Sequence, residues 1–210
     1  AGGGDGAGWP LTELSVAGKL EEYRAAQREY VTPSFATICG YGPNGAIIHY
    51  QADAATAAEI GTAAPLLIDS GGQFLDGTTD VTRTVHLGAP TAHQRRCFTL
   101  VLRGHIAIAA AVFPEGLPGS RLDAMARTAL WQAGLDYKHG TGHGVGAFLN
   151  VHEGPQGIHF RLRPGEQGFR LGMTTSNEPG YYENGAFGIR IESVCICREA
   201  PTEFCFGVER

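Results

Sequence analysis

Three stretches of the chain have the hydrophobic spacing of amphipathic helices. In the first, residues 11–30, apolar residues recur about every third position among charged ones. These apolar positions are Leu14, Ala17, Leu20, Tyr23 and Ala26. The second stretch runs from Thr91, a suitable N-cap, to Val112, and the third covers residues 120–133. Proline or glycine follows both of these runs, so we predict that the helices end there.

Shorter runs, rich in apolar and β-branched residues, predict strands. They cover residues 46–50, 66–69, 79–86, 173–178, 181–183 and 187–197. Residues 55–64 are predicted to form a surface loop, and the glycine-rich segment 139–146 to be irregular. The predicted order is one helix, several strands, two helices and then strands again. This order is typical of an α+β protein, in which helices pack on one face of a mainly antiparallel sheet.

The composition indicates a globular domain, because 43% of the 210 residues are hydrophobic. We expect residues 1–10, which are glycine-rich and lack the pattern of a secretory signal, to be a loose segment before one domain at 11–210. A net charge of -5 and a pI near 5.9 argue against nucleic acid or an anionic membrane as a partner. No apolar run approaches the roughly 18 residues that a membrane-spanning helix needs.

The cysteines are odd in number and form no CxxC pair, so they indicate neither a disulfide framework nor a zinc knuckle. Buried free thiols in a reducing compartment are the expectation. The five are Cys39, Cys97, Cys195, Cys197 and Cys205.

Acidic residues lie in or beside apolar, strand-like segments. Asp69 follows Leu-Leu-Ile, Asp80 leads into Val-Thr-Arg-Thr-Val, and Glu192 follows Ile-Arg-Ile. Carboxylates in such places are costly unless they are paired or bound to metal. Gathered without cations they would repel, and some would hold protons. Two divalent ions would offset this charge, and such a pair can bind a hydroxide and polarise a carbonyl.

The candidate residues fall in three local patterns. These are Asp69-Ser-Gly-Gly-Gln-Phe-Leu-Asp-Gly-Thr-Thr-Asp80, then His139-Gly-Thr-Gly-His143-Gly with His152-Glu153 after it, and Asn177-Glu178-Pro-Gly-Tyr-Tyr with Gly188-Ile-Arg190-Ile-Glu192 after it. Each pattern alone also fits a turn, a local contact or an ion pair. Four carboxylates and one imidazole together would suit manganese, cobalt or zinc.

In combination and order, these motifs resemble the pita-bread metallopeptidases, and among them the cytosolic type of aminopeptidase P. The resemblance covers about residues 11–198 and is closest at GPNGAIIHY (42–50), DGTTDVTRT (76–84) and AFLNVHEGP (147–155). It implies a curved, mainly antiparallel sheet with helices on its outer face. It also implies a cytoplasmic enzyme whose full-length relatives are homodimers, and a catalytic domain that is truncated here at both ends.

The resemblance further implies the site residues. Two divalent ions would be bound by Asp69, Asp80, His143, Glu178 and Glu192. Asp80 and Glu192 would bridge the ions, Asp69 would complete one ion, and His143 with Glu178 the other. Manganese is the expected metal, with zinc and cobalt as alternatives.

By the same resemblance, His49, His139 and His152 would bind the peptide, and Arg190 would orient an acidic ligand beside it. The expected reaction removes the first residue from peptides with an N-terminal Xaa-Pro. A bridging hydroxide attacks the carbonyl, Glu178 passes the proton to the proline nitrogen, and His139 and His152 assist. Candidates for an apolar slot around the proline ring are Phe148, Tyr181 and Tyr182.

Two alternatives stay open. A prolidase would use the same ligands but act on Xaa-Pro dipeptides. Some pita-bread domains have lost their metals and bind other proteins, although the presence of all five ligand positions argues against that here. Comparing Xaa-Pro with Xaa-Pro-Xaa peptides separates the two enzymes, and metal analysis with a turnover test separates both from a binding module.

Overall fold

The computed structural model describes residues 11–161 and 165–204, so the expected loose segment 1–10 and Cys205 lie outside the described residues. The helices in the described part are α1 Glu13–Ala25, α2 Ala92–Ala109 and α3 Asp123–Trp131. Its strands are β1 Tyr30–Pro33, β2 Ile38–Tyr41, β3 Pro65–Ser70, β4 Gly72–Phe74, β5 Gly77–Thr78, β6 Val81–His86, β7 Gly142–His143, β8 Gly157–Ile158, β9 Thr174–Asn177, β10 Gly180–Glu183, β11 Phe187–Arg190 and β12 Ser193–Ile196.

The three predicted helices are confirmed, and local chemistry explains where two of their ends fall. The Thr91 hydroxyl accepts the N–H of Gln94 at 3.1 Å, which confirms the predicted N-cap of α2. Helix α1 ends at Ala25, earlier than predicted, and it cannot reach Tyr30, because Glu29 has a φ of 64° and Tyr30 starts a strand. A left-handed residue cannot continue a right-handed helix.

Every strand pair in the described residues is antiparallel, which confirms the expected sheet type. The central sheet has the order β2-β3-β6, and the strand β11 packs against β3 and β6. Around it lie a three-stranded sheet β1-β4-β5 and the pairs β9-β12, β10-β11 and β7-β8. The strands that hold the predicted site residues are therefore neighbours.

Helices α2 and α3 pack on each other and cover one face of β10 and β11. This core consists of Cys97, Leu100, Val101, Ala129, Leu130, Tyr137, Phe187 and Ile189. Because side chains alternate along a strand, Phe187 and Ile189 face the helices while Arg190 faces the opposite side. The α+β arrangement with helices on one face is thus confirmed.

Two strand predictions need correction. Residues 46–50 do not form a strand, since a 3₁₀ helix spans Gly42–Ala46 and Tyr50 N–H closes a turn on the Ile47 carbonyl. Gly42, at φ 54°, and the proline after it bend the backbone out of an extended path. The predicted strand 187–197 is two strands, separated by two residues that turn from β11 to β12.

The expectation of free thiols holds for the cysteines that the structure describes. Cys39 and Cys97 are buried, Cys195 and Cys197 are half-buried, and all four are unpaired with one another.

Candidate metal centre

The five side chains predicted to bind metal come from segments far apart in the chain. They are Asp69 in β3, Asp80 before β6, His143 in β7, Glu178 after β9 and Glu192 between β11 and β12. Pairing of β3 with β6 sets Asp69 opposite Thr82, and pairing of β9 with β12 sets Asn177 opposite Ser193. Thr82 Oγ1 donates to Glu192 Oε2 at 2.7 Å, so the two ladders meet at the acids.

Short distances join the imidazole to the carboxylates. His143 Nε2 lies 3.3 Å from Asp80 Oδ2 and 3.3 Å from Glu178 Oε1. One ligand atom each from Asp80, His143 and Glu192 lie within 4.8 Å of one another, a spacing that a single cation can span. The structure thus brings these predicted ligands to a common centre.

Asp69 pairs with Arg190 and lies near enough to Asp80 for their charges to interact. Its Oδ2 accepts a hydrogen bond from Arg190 Nη2 at 2.7 Å, while its Oδ1 is buried and has no hydrogen-bond partner among the described residues. A buried carboxylate oxygen left unpaired is costly. It fits a cation as its missing partner, and so do the three other buried or half-buried acids, Asp80, Glu178 and Glu192.

The electrostatics of the centre show an excess of negative charge. Burial raises the pKa of Glu178 to about 7, although His143 and Arg190 oppose the shift. Burial also raises the pKa of Glu192 well above its usual range, and the charge of Glu178 adds to it. The pKa of Asp69 is raised by burial as well, against the pull of Arg190. Divalent cations would relieve this repulsion, so the residues fit a metal site.

The ring of His143 is oriented for ligation. Its Nδ1 lies 3.0 Å from the Gly144 carbonyl oxygen, which can only accept, so in the neutral ring Nε2 holds the lone pair that faces the acids. Burial lowers the pKa of His143, but the hydrogen bond to Asp80 and the charge of Glu178 outweigh it and the net shift is upward.

The predicted substrate residue His139 is half-buried beside Arg190 and Tyr182. Its Nδ1 lies 2.8 Å from the Gly140 carbonyl oxygen and its Nε2 lies 2.8 Å from the Tyr182 hydroxyl. Nδ1 therefore donates and Nε2 accepts. Burial lowers the pKa of His139 to about 4, so its ring is neutral near pH 7. Tyr182 also accepts from Arg190 Nη1 at 2.8 Å.

The other two predicted histidines, His49 and His152, are exposed. The His152 ring stands edge-on to the His143 ring, with centroids 4.0 Å apart. Burial and the charge of His143 lower the pKa of His152. His49 lies near enough for its charge to lower the pKa values of both His139 and His152. His152 thus lies against a candidate ligand, and His49 lies near both of the other histidines.

Of the aromatic residues suggested for an apolar slot, Tyr181 is a wrong prediction. Tyr181 and Tyr182 are neighbours in β10, so their side chains point to opposite faces of the strand. The Tyr181 ring packs against Phe187 on the helix side, and its hydroxyl donates to Glu183 at 3.1 Å. Tyr182 faces the centre, but its hydroxyl belongs to the polar network there. Phe148 is exposed in the loop before His152.

Sequence reasoning missed the residues that hold the acids in place. Thr82 donates to Glu192, and Ser176 Oγ donates to Glu178 Oε1 at 3.0 Å. Both have a signal in the sequence, because Thr82 follows Asp80 by two positions and Ser176 precedes Glu178 by two, so they share a strand face with the acids.

A buried guanidinium under the His139 segment was also missed. Arg127 is 2% exposed and uses all five N–H donors: Nε and Nη2 on Asp123, Nη1 on Asp136 and the Tyr137 carbonyl, and Nη2 on the His139 carbonyl. A single arginine in an amphipathic helix gives no sign of such a role in the sequence.

The glycines of the His139–His143 pattern allow backbones to touch. A Cβ at Gly142 would lie 2.0 Å from the Ser176 carbonyl oxygen, and one at Gly144 would lie 1.9 Å from the Glu153 carbonyl oxygen. Any larger residue would push β7 away from its neighbours and carry His143 with it.

Comparisons with known proteins agree with this geometry. The sequence model of metallopeptidase family M24 matches residues 6–199. Aminopeptidase P1 of Lotus japonicus is 55% identical over 197 residues, which are 94% of this chain and 30% of that protein. A probable Xaa-Pro aminopeptidase P of Laccaria bicolor is 58% identical over 200 residues, 95% of this chain and 31% of its own length. The chain therefore spans about 30% of these relatives.

Solved structures show the same fold. An X-prolyl aminopeptidase from Caenorhabditis elegans, described as a cytosolic enzyme with a di-nuclear active site, has a TM-score of 0.88 and 44% identity over 92% of this chain and 31% of its own. A prolidase from Pyrococcus furiosus has a TM-score of 0.78 and 29% identity over 89% of this chain and 53% of its own. The expected pita-bread fold is confirmed. None of the described helices is long and apolar enough to cross a membrane.

Proposed function

The chain belongs to metallopeptidase family M24, and we propose that it holds the two-metal centre of an Xaa-Pro aminopeptidase. This enzyme would remove the first residue from peptides whose second residue is proline. The observation that carries the proposal is the gathering of four carboxylates and one imidazole, with Asp69 Oδ1 left without a hydrogen-bond partner in the described part of the chain. The likeness to relatives named aminopeptidase P supports the choice of substrate.

Two divalent ions would be held by Asp69, Asp80, His143, Glu178 and Glu192. When bound, they supply a nucleophilic water at neutral pH and positive charge for the carbonyl. We propose manganese as the working ion, because the ligands are mainly oxygen, and zinc or cobalt as the ions to test against it. A cytoplasmic location and a homodimeric full-length protein remain part of the proposal.

The chain's own residues would move the proton. Glu178 would take a proton from the attacking water and release it to the proline nitrogen, which must gain one to leave. His139, neutral and fixed by Gly140 and Tyr182, would bind the peptide together with His152 and His49. Arg190 would keep Asp69 ionised and in place.

The test is turnover of an Arg-Pro-Pro peptide and an Arg-Pro dipeptide by the chain with added Mn²⁺. We expect cleavage of the tripeptide and a loss of about 100-fold or more for Glu178→Gln. The matched control is Glu183→Gln, since Glu183 ends β10 and bonds to His93 and Tyr181 outside the centre. It should keep the parent rate.

Other outcomes would change the assignment. Cleavage of the dipeptide alone would indicate a prolidase. No bound metal, by metal analysis, and no turnover of either peptide would indicate a binding module. Equal rates for Glu178→Gln and the parent would remove Glu178 from the mechanism.

A further inference from the structure

The loop that carries His152 has a backbone conformation that bulky residues seldom adopt. Within residues 146–153, Leu149 and Asn150 have φ values of 61° and 53°. The left-handed region is strained for residues other than glycine, above all for a side chain such as leucine. The loop closes on itself through Gly146 N–H and the Asn150 carbonyl at 3.1 Å. Such a conformation persists when contacts around it hold it.

Gln73 provides a contact of this kind from outside the loop. It is 1% exposed, and its Oε1 accepts the backbone N–H of Leu149 at 2.8 Å. Oε1 also accepts the Thr78 hydroxyl at 2.8 Å, and Nε2 donates to the carbonyl oxygens of Phe74 at 3.0 Å and Gly77 at 3.3 Å. The amide uses both acceptor positions and both donors, so its orientation is fixed.

The two ends of this contact belong to the metal centre. Gln73 lies in the β4-β5 hairpin, which joins Asp69 to Asp80, and the loop leads to His152, whose ring packs on His143. One buried side chain therefore connects the hairpin between two candidate ligands to the loop of a candidate catalytic histidine.

We propose that Gln73 is a positioning residue that holds the loop 146–153 and thereby sets His152 against the metal centre. The proposal rests on the proposed function, because it assumes that His152 acts on the peptide. Without the amide of Gln73, Leu149 loses its acceptor, the left-handed residues relax, and His152 moves away from His143.

The structural part of the test is hydrogen exchange at the Leu149 amide. Gln73→Met should raise exchange in residues 147–153 by about tenfold or more while the helices exchange as in the parent. Thr78→Val removes one bond to Gln73 Oε1 and should give a smaller rise, and it replaces Gln73→Met if that variant does not fold. Gln27→Met, at an exposed glutamine after α1, should change nothing.

The kinetic part separates positioning from a general loss of structure. With metal content and KM near those of the parent, Gln73→Met should lower kcat about 10- to 100-fold. In a His152→Ala background it should add no further loss. Additive losses, or unchanged exchange at Leu149, would overturn the proposal. If the parent shows no turnover, the proposed function fails, while the exchange at Leu149 still decides whether Gln73 holds the loop.

Discussion

The residues of the candidate metal centre are held in different ways, which suits them to different roles. Arg190 pairs with Asp69, and Thr82 donates to Glu192, so both acids are fixed by a strong donor. Glu178 has a raised pKa of about 7 and faces both an acid and an imidazole. These neighbours suit it to exchange a proton in the proposed reaction.

The raised pKa of Glu178 has a consequence for stability without metal. Its ordinary value is 4.5, so the folded state binds a proton that the unfolded state releases between about pH 4.5 and 7. The free energy of unfolding should therefore be higher below this window and fall as pH rises through it. Urea unfolding with EDTA at pH 5 and pH 8 measures the difference, which we expect to be a few kcal/mol.

Other titratable groups also change the free energy of unfolding with pH, and the variant Glu178→Gln isolates the contribution of Glu178. His139, with its pKa lowered to about 4, acts with the opposite sign, because it resists charging in the folded state. In Glu178→Gln the group cannot titrate, so the fall in stability with pH should be smaller than in the parent. An equal or larger fall would place the raised pKa elsewhere.

At the scale of elements, close backbone contacts decide where His143 lies. Gly142 faces the Ser176 carbonyl, and the Ser176 hydroxyl accepts the His143 N–H at 2.9 Å. Strand β7 is only two residues long, so its position depends on these contacts with β9 rather than on its own pairing.

Gly142→Ala should therefore weaken both the fold and the metal site. The added Cβ forces β7 from β9, at a cost of about 1–3 kcal/mol in the free energy of unfolding. Metal affinity should fall with it, as measured by titration. The control is Gly18→Ala in α1, where nothing lies within 4 Å of the new Cβ, and a gain of about 0.5–1 kcal/mol is expected. Similar losses in both variants would contradict the role of this contact.

The sequence predicts those elements whose signals are local. Thr91 and Gln94 form the capping box of α2, and apolar runs mark β3 and β6. The strand predicted at 46–50 is wrong. Its β-branched residues favour a strand, but packing of Gly45 against Gly188 holds the preceding residues in a 3₁₀ helix. Gln73 could not be predicted either, because its role depends on a loop 76 residues away in the chain.

At the scale of the whole molecule, the candidate ligands come from segments that span most of the fold. They extend from Asp69 in β3 to Glu192 before β12, and the strands between them form several small sheets rather than one continuous one. Two-stranded sheets are weakly stable by themselves, and three-stranded ones depend on a packed apolar face. Cations bound by the candidate ligands would join these sheets, at the place where the carboxylates otherwise repel one another.

Metal should therefore stabilise the whole chain against unfolding. A ligand that binds only the folded state adds about 2.7 kcal/mol at a free concentration of 100 times Kd. We expect the Tm of the EDTA-treated chain to rise with added Mn²⁺ and the rise to be largely lost in Asp80→Asn, which removes a carboxylate of the cluster with His143 and Glu192. Asp76→Asn, in the exposed turn of the β4-β5 hairpin, is the control that should respond like the parent. A Tm that does not depend on Mn²⁺ would mean that the acids gather for a reason other than metal.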